Sequence, residues 1–249
     1  MAPAVITLRW SVQNDPRTST AGAYAAAVTA ILLDALGTLL RLRPPAPRLR
    51  EALRGRGFEV ELGACERAFA AEIAYYLEHH VEGRDASTLA ELRNRCAAVL
   101  HDALALPGLA VADARAAMLE SIRFDPYPDA APALRDLRER GLSLVVASNW
   151  DCSLRDVLAG AGLAPLLDGV VTSAEVGTRK PDPALFGVAL QVARSDPADA
   201  VHVGDSLAND VQGARAAGIR AVLMDRDGRE EAPPGVQAIT RLGELAAVL

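Results

Sequence analysis

Four short stretches of this sequence carry residues that could act together on a substrate. The first is Asp34-Ala35-Leu36-Gly37-Thr38, at the end of the apolar run 28–33. The others are Ser148-Asn149-Trp150-Asp151, Lys180-Pro181-Asp182-Pro183 and Gly204-Asp205-Ser206-Leu207-Ala208-Asn209-Asp210. Each follows, or closely trails, an apolar run of strand length. A single Asp at a strand end ordinarily caps a turn. Repeated acids and hydroxyls at successive strand ends instead mark the rim where open α/β sheets place their chemistry. If Asp34, Asp205 and Asp210 converge there, three carboxylates repel one another. A hard dication relieves this, and Mg²⁺ held by carboxylates, waters and a substrate phosphate is the expected form. Lys180 and the Ser148 hydroxyl would then serve phosphoryl oxygens, and a carboxylate beside the metal could attack phosphorus. Lys180 is the sole lysine among 26 basic residues. In so Arg-rich a chain, that lysine points to a place where a compact charge is needed and a planar fork is not.

The elements that must position these residues can be read from period and punctuation. Residues 1–26 are rich in Ala, Ser and Thr and read as a poorly ordered leader. The first strand ends at Asp34. Arg43-Pro44-Pro45-Ala46-Pro47 then reads as a linker, because Pro continues neither a strand nor a helix interior. From 48 to 123 the pattern is helical: Leu49, Leu53, Cys65, Phe69, Ile73, Tyr76 and Leu77, then Leu89, Leu92, Cys96, Val99 and Leu100, then a helix over 112–122. Phe124-Asp125-Pro126-Tyr127-Pro128 reads as the return linker. Strands and helices then alternate, with helices at 129–140, 153–161, 183–193 and 210–217 and strands at 142–147, 169–172, 200–203 and 219–224. A last helix is expected over 242–249. This predicts an α/β fold, a doubly wound parallel-sheet (Rossmann-like) core with an inserted α-helical cap. The expected division is a leader at 1–26, a core at 27–43 and 125–249, and a cap at 44–124.

Composition narrows the function classes. A formal charge of −6 argues against a nucleic-acid surface. No apolar stretch approaches the roughly 20 residues that span a bilayer. Cys65, Cys96 and Cys152 show no paired spacing, which reads as reduced cytosolic thiols and a cytoplasmic protein. Oligomeric state is not legible.

In order and on matching elements, the four stretches resemble the motifs of the haloacid dehalogenase-like hydrolase superfamily, in the branch with a helical cap after the first strand. The resemblance covers about residues 30–224. It implies that Asp34 is the nucleophile and a metal ligand, with the Leu36 carbonyl and Asp205 as further ligands. Asp210 would ligate through water or orient Asp205. Thr38 would bond near the nucleophile, Ser148 and the Asn149 backbone would hold the phosphoryl group, and Lys180 would neutralise charge between it and Asp34. The implied activity is Mg²⁺-dependent hydrolysis of a small phosphorylated metabolite, a phosphomonoester, through an aspartyl-phosphate.

One position departs from the pattern. The family's phosphatases carry a second Asp two residues after the nucleophile, as acid for the leaving group and base for water. Here it is Leu36, which cannot move a proton. Such help is worth about 10²–10⁴ in rate, so a slow or atypical phosphatase is expected. His79, His80, Glu82 and Asp85 in the cap are candidate substitutes, each more simply an exposed polar residue. A metal-independent 2-haloacid dehalogenase also lacks that Asp and is an alternative, though Asp205 and Asp210 form a metal-type pair. A catalytically silent binding protein is another. Phosphonatase chemistry is set aside, because it resembles catalysis by a cap lysine and the cap has none. His202 reads as a packed core histidine and Cys152 as structural. Trp150 could line the pocket or cover a helix start, and Tyr75 and Tyr76 could be core or substrate wall.

Overall fold

A computed structural model describes residues 28–249, and the expected leader lies outside them. β1 (Ala30–Leu33) is apolar and fully buried at every position. A strand with parallel neighbours on both edges and helices on both faces has no solvent side, so it reads as a continuous apolar run.

The next segments differ from the sequence expectation. β2 (Leu40–Leu42) pairs antiparallel with β3 (Phe124–Pro126), where the sequence reading placed only linkers. Three-residue strands are too short to show a period. This ribbon bounds four helices: α1 (Pro45–Arg54), α2 (Leu62–His79), α3 (Ala86–Leu104) and α4 (Val111–Ser121). Pro45 and Pro47 therefore sit inside a helix and not in a linker. They occupy its first turn, where backbone N–H groups have no intrahelical acceptor to lose. Asp85 starts α3 by accepting from the Ser87 and Thr88 N–H groups, each at 2.9 Å. The four helices share a core of their own around Leu49, Leu53, Phe69, Leu92, Leu100 and Met118. Leu77, expected on the buried stripe of α2, is 55% exposed; Tyr76 turns inward in its place.

The remaining elements are α5 (Ala130–Glu139), β4 (Ser143–Ser148), α6 (Leu154–Gly160), β5 (Gly169–Thr172), α7 (Ser173–Val176), α8 (Pro183–Ala193), β6 (Ala200–Gly204), α9 (Gly213–Ala216), β7 (Arg220–Met224), β8 (Gln237–Ile239) and α10 (Leu245–Val248). The edge strand β8 was not expected. All six strands of the main sheet are parallel, in the order β5-β4-β1-β6-β7-β8. β1 lies where the order reverses, the position at which such sheets open a crevice at their carboxyl ends. Ile31 and Leu33 face one layer with α5 and α6, while Ala30 and Leu32 face the other with α8. The helix expected over 210–217 begins earlier, as a wide turn over Leu207–Gln212. There the N–H groups of Asp210 and Val211 both donate to Ser206 O, the second across five residues.

Candidate active site

Asp34 ends β1, and its N–H donates to Val203 O at 2.8 Å. The chain then doubles back: the N–H groups of Leu39 and Leu40 both reach Ala35 O, at 2.9 and 2.8 Å. Gly37 is required twice over. Its φ is +82°, and a Cβ there would stand 1.9 Å from Asp205 Oδ2. Arg226 holds this turn from outside. Its guanidinium donates to Thr38 O at 2.5 Å, pairs with Asp129 at 2.7 Å and lies 4.0 Å above the Tyr127 ring. Arg226 follows β7 in a stretch without a motif, so only the tertiary contact reveals it. Thr38 is fully buried, and its hydroxyl has no hydrogen-bond partner. Leu36 directs its side chain outward, 41% exposed.

The groups expected to meet Asp34 do so. Ser148, the last residue of β4, donates its hydroxyl to Asp34 Oδ1 at 3.0 Å. Lys180 Nζ donates to Asp34 Oδ1 and to Asp210 Oδ1, both at 2.5 Å. Asn149 contributes its side chain, not only its backbone. Its Oδ1 accepts from the Lys180 N–H at 2.7 Å and its Nδ2 donates to Lys180 O at 3.1 Å, fixing the loop that carries the ammonium.

His202 does more than pack. It is fully buried and edge-on to Phe186, as expected, but its Nε2 also lies 2.8 Å from Asp210 Oδ1. Its Nδ1 is buried without a partner. An orphaned N–H costs more than an orphaned lone pair, which assigns the proton to Nε2 as donor to the carboxylate. Gly204, on the same strand face, leaves the space Asp210 needs; a Cβ would be 2.2 Å from its Cγ. The Ser206 N–H completes the socket on Asp210 Oδ2 at 3.0 Å. The available sequence signal was spacing: residues 202 and 204 share one face of β6.

One lysine cannot balance these carboxylates. Burial works to raise Asp210, but Lys180 and His202 outweigh it and hold the carboxyl far below the usual range. Asp34 is left short of compensation, and burial raises its pKa against the pull of Lys180. Flanked by both acids, Lys180 is held above its ordinary value despite burial. Asp205 is an exposed residue whose carboxyl turns in over Gly37. Desolvation there, then the charges of Asp34 and Asp210, push it up to about 7. Carboxylate oxygens of Asp34, Asp205 and Asp210 all lie within 4.8 Å of one another. An all-oxygen cluster carrying more negative charge than its lysine can offset fits a hard divalent cation.

Most of the helical module's candidate polar groups have other partners, and His80, expected to be exposed, is buried with its Nε2 unpartnered. His79 and Arg95 pair with Glu82, His80 Nδ1 meets Leu77 O, and Asp85 caps α3. Tyr76 is a junction residue, donating to Asp151 Oδ2 at 3.0 Å. Trp150 is buried in the core against Phe124 and is not exposed as a pocket wall. Burial raises the Cys152 thiol, so it is not an activated nucleophile.

Residues 28–218 match the model of the haloacid dehalogenase-like hydrolase family. The chain belongs to this family. This hydrolase is 37% identical over 204 residues to the human haloacid dehalogenase-like hydrolase domain-containing protein 3, covering 77% of this chain and 79% of that protein. It is 43% identical over 136 residues to a Thermus thermophilus phosphoserine phosphatase, a match spanning only 54% of each chain. Among solved structures, the L-2-haloacid dehalogenase of Xanthobacter autotrophicus superposes with a TM-score of 0.65 at 25% identity, over 89% of this chain and 98% of that one.

Proposed function

We propose that this hydrolase is a Mg²⁺-dependent phosphatase acting on a small phosphorylated metabolite through an aspartyl-phosphate at Asp34. The carrying observation is the cluster of Asp34, Asp205 and Asp210 oxygens around a single, doubly bonded Lys180. A cation held by Asp34, Asp205 and the Leu36 carbonyl, with Asp210 reaching it through water or orienting Asp205, would offset their charge and that of a phosphoryl group. The Ser148 hydroxyl, the Asn149 backbone and the Lys180 ammonium would hold the phosphoryl oxygens in line with the Asp34 carboxylate. Asp210 acts through Lys180, fixing the ammonium where it meets both Asp34 and the incoming charge. Thr38, buried with a free hydroxyl beside the turn, supplies a further donor.

Residues 44–124 would form a cap over the rim of a core made of 27–43 and 125–249. Its contacts there include Tyr76 with Asp151, the Cys152 N–H with Gly83 O at 2.8 Å, and Arg179 with Leu77 O at 3.0 Å. Among the described residues no helix is long and apolar enough to cross a membrane. The free thiols support a cytoplasmic setting.

The test is hydrolysis of an aryl phosphate, whose leaving group needs little protonation. Activity should require Mg²⁺ and fall by at least about 10⁴-fold in Asp34→Asn. Metal-independent halide release from a 2-haloacid would replace this reading with the dehalogenase one. Mg²⁺ binding without turnover of either compound would make the chain a silent binding protein.

A further inference from the structure

Leu36 stands two residues beyond Asp34, turned outward, and has no proton to give or accept. The module's candidate substitutes are engaged or enclosed: His79 and Arg95 each pair with Glu82, Asp85 caps the start of α3, Tyr76 donates to the Asp151 carboxylate, and His80 is buried with its Nδ1 on a backbone carbonyl and its Nε2 facing no polar partner. At the rim, Asp210 is filled by Lys180, His202 and the Ser206 N–H. With Asp205 taken up as a ligand of the proposed cation, position 36 gives an alkoxide leaving group no proton. A carboxylate or phosphate leaving group needs none, because it is stable as an anion at neutral pH.

Resting on the phosphatase reading above, we propose that the site takes phosphoric anhydrides, acyl phosphates and pyrophosphates, and that the phosphoryl group then accumulates on Asp34. In loading, an Asp34 carboxylate oxygen bonds to phosphorus. The bridging P–O bond breaks, and its electron pair leaves on the carboxylate or phosphate without a proton. In unloading, a water oxygen bonds to phosphorus and the bond to Asp34 breaks, its electron pair returning to the carboxylate. The water proton passes to solvent or to the departing phosphate. Only unloading misses a base. That absence costs about 10²–10⁴ in rate, so loading outruns unloading.

The experiment uses the full chain with Mg²⁺ and three probes: acetyl phosphate, para-nitrophenyl phosphate and β-glycerol phosphate. Rapid quench followed by intact mass measures the phosphoenzyme, and released phosphate is followed in parallel. With acetyl phosphate the expected result is a burst approaching one phosphoryl group per chain, absent in Asp34→Asn, followed by slow turnover. β-Glycerol phosphate should react at least about 10²-fold more slowly than acetyl phosphate. Leu36→Asp should remove the burst and raise steady turnover by about 10²-fold or more, while Leu36→Asn, polar but unable to move a proton, should keep the burst. Turnover of acetyl phosphate without a burst, or equal rates on the alkyl ester, would overturn the inference and leave the phosphatase reading standing. No labelling and no turnover with any probe would remove both.

Discussion

At the rim of the sheet, Lys180 stands between the buried carboxylates of Asp34 and Asp210, and His202 and the Ser206 N–H add two more donors to Asp210. In the helical module the charged groups lie mostly at the surface and pair locally, as Glu82 does with Arg95 and Arg56 with Glu120. Its buried acid, Glu72, has no cation beside it. It lies against the Cys96 thiol, and burial pushes its pKa to about 7, with Cys96 carried up to about 12 by burial and by Glu72 itself. The two regions thus solve one problem in two ways. A buried acid must be paired or give up its charge. The rim keeps the charge of Asp210 by pairing it and leaves Asp34 and Asp205 short of compensation, an excess for a cation to meet. The module instead encloses Glu72 against a thiol with no cation, and burial moves its pKa up towards neutrality.

Lys180→Met is the strongest way to break this comparison. It strands two buried carboxylates and should cost about 3–5 kcal/mol in urea unfolding, with activity lost. Lys180→Arg should not restore activity, since a planar fork does not fit a point bonded at 2.5 Å to both acids. A loss below about 1 kcal/mol would show that the rim acids can shed charge as Glu72 does.

Glu72 sets a pH dependence of known sign. Its folded pKa is raised from 4.5 to about 7. The folded chain therefore binds that proton more tightly than the unfolded chain does. Stability from this group is fully present below about 4.5, declines as pH rises and is gone above about 7, a difference of at most about 3 kcal/mol. Glu72→Gln should flatten that decline in melts recorded from pH 5 to 8 and raise the melting temperature at pH 8. An unchanged slope would mean that Glu72 is charged and paired after all.

His202→Leu removes the Nε2–H donor from Asp210 while keeping an apolar filler. Mg²⁺ affinity by calorimetry and kcat on an aryl phosphate should each fall about 10–100-fold. His202→Gln, with an amide N–H at similar reach, should recover much of both. Equal losses in the two variants would reduce His202 to packing. Tyr76→Phe should show the smallest effect, about 1 kcal/mol or less. It removes one junction bond to Asp151, and Mg²⁺ affinity should not move.

Much of the site was visible before any fold was drawn, because its signals are local. Asp34, Ser148 and the 204–210 stretch each end an apolar run, and Gly37 marks a turn that tolerates no side chain. The absence of an acid at Leu36 is likewise plain from the sequence. The alternation of elements dictated a parallel sheet, and parallel strands bring their carboxyl ends to one rim. What the sequence could not determine are relations between residues that share no pattern. The β2–β3 ribbon is too short to show a period. Pro45 and Pro47 read as breakers until their place in a first turn is known. Arg226 reaches the turn after Asp34 from 188 residues away, and Tyr76 meets Asp151 across 75. His202 looked like a core residue, and it is one. Only the wide turn at Leu207–Gln212, which returns Asp210 to the strand it left, makes that histidine part of the charge network. Period and punctuation are written along the chain; which buried donor meets which buried charge is settled by packing.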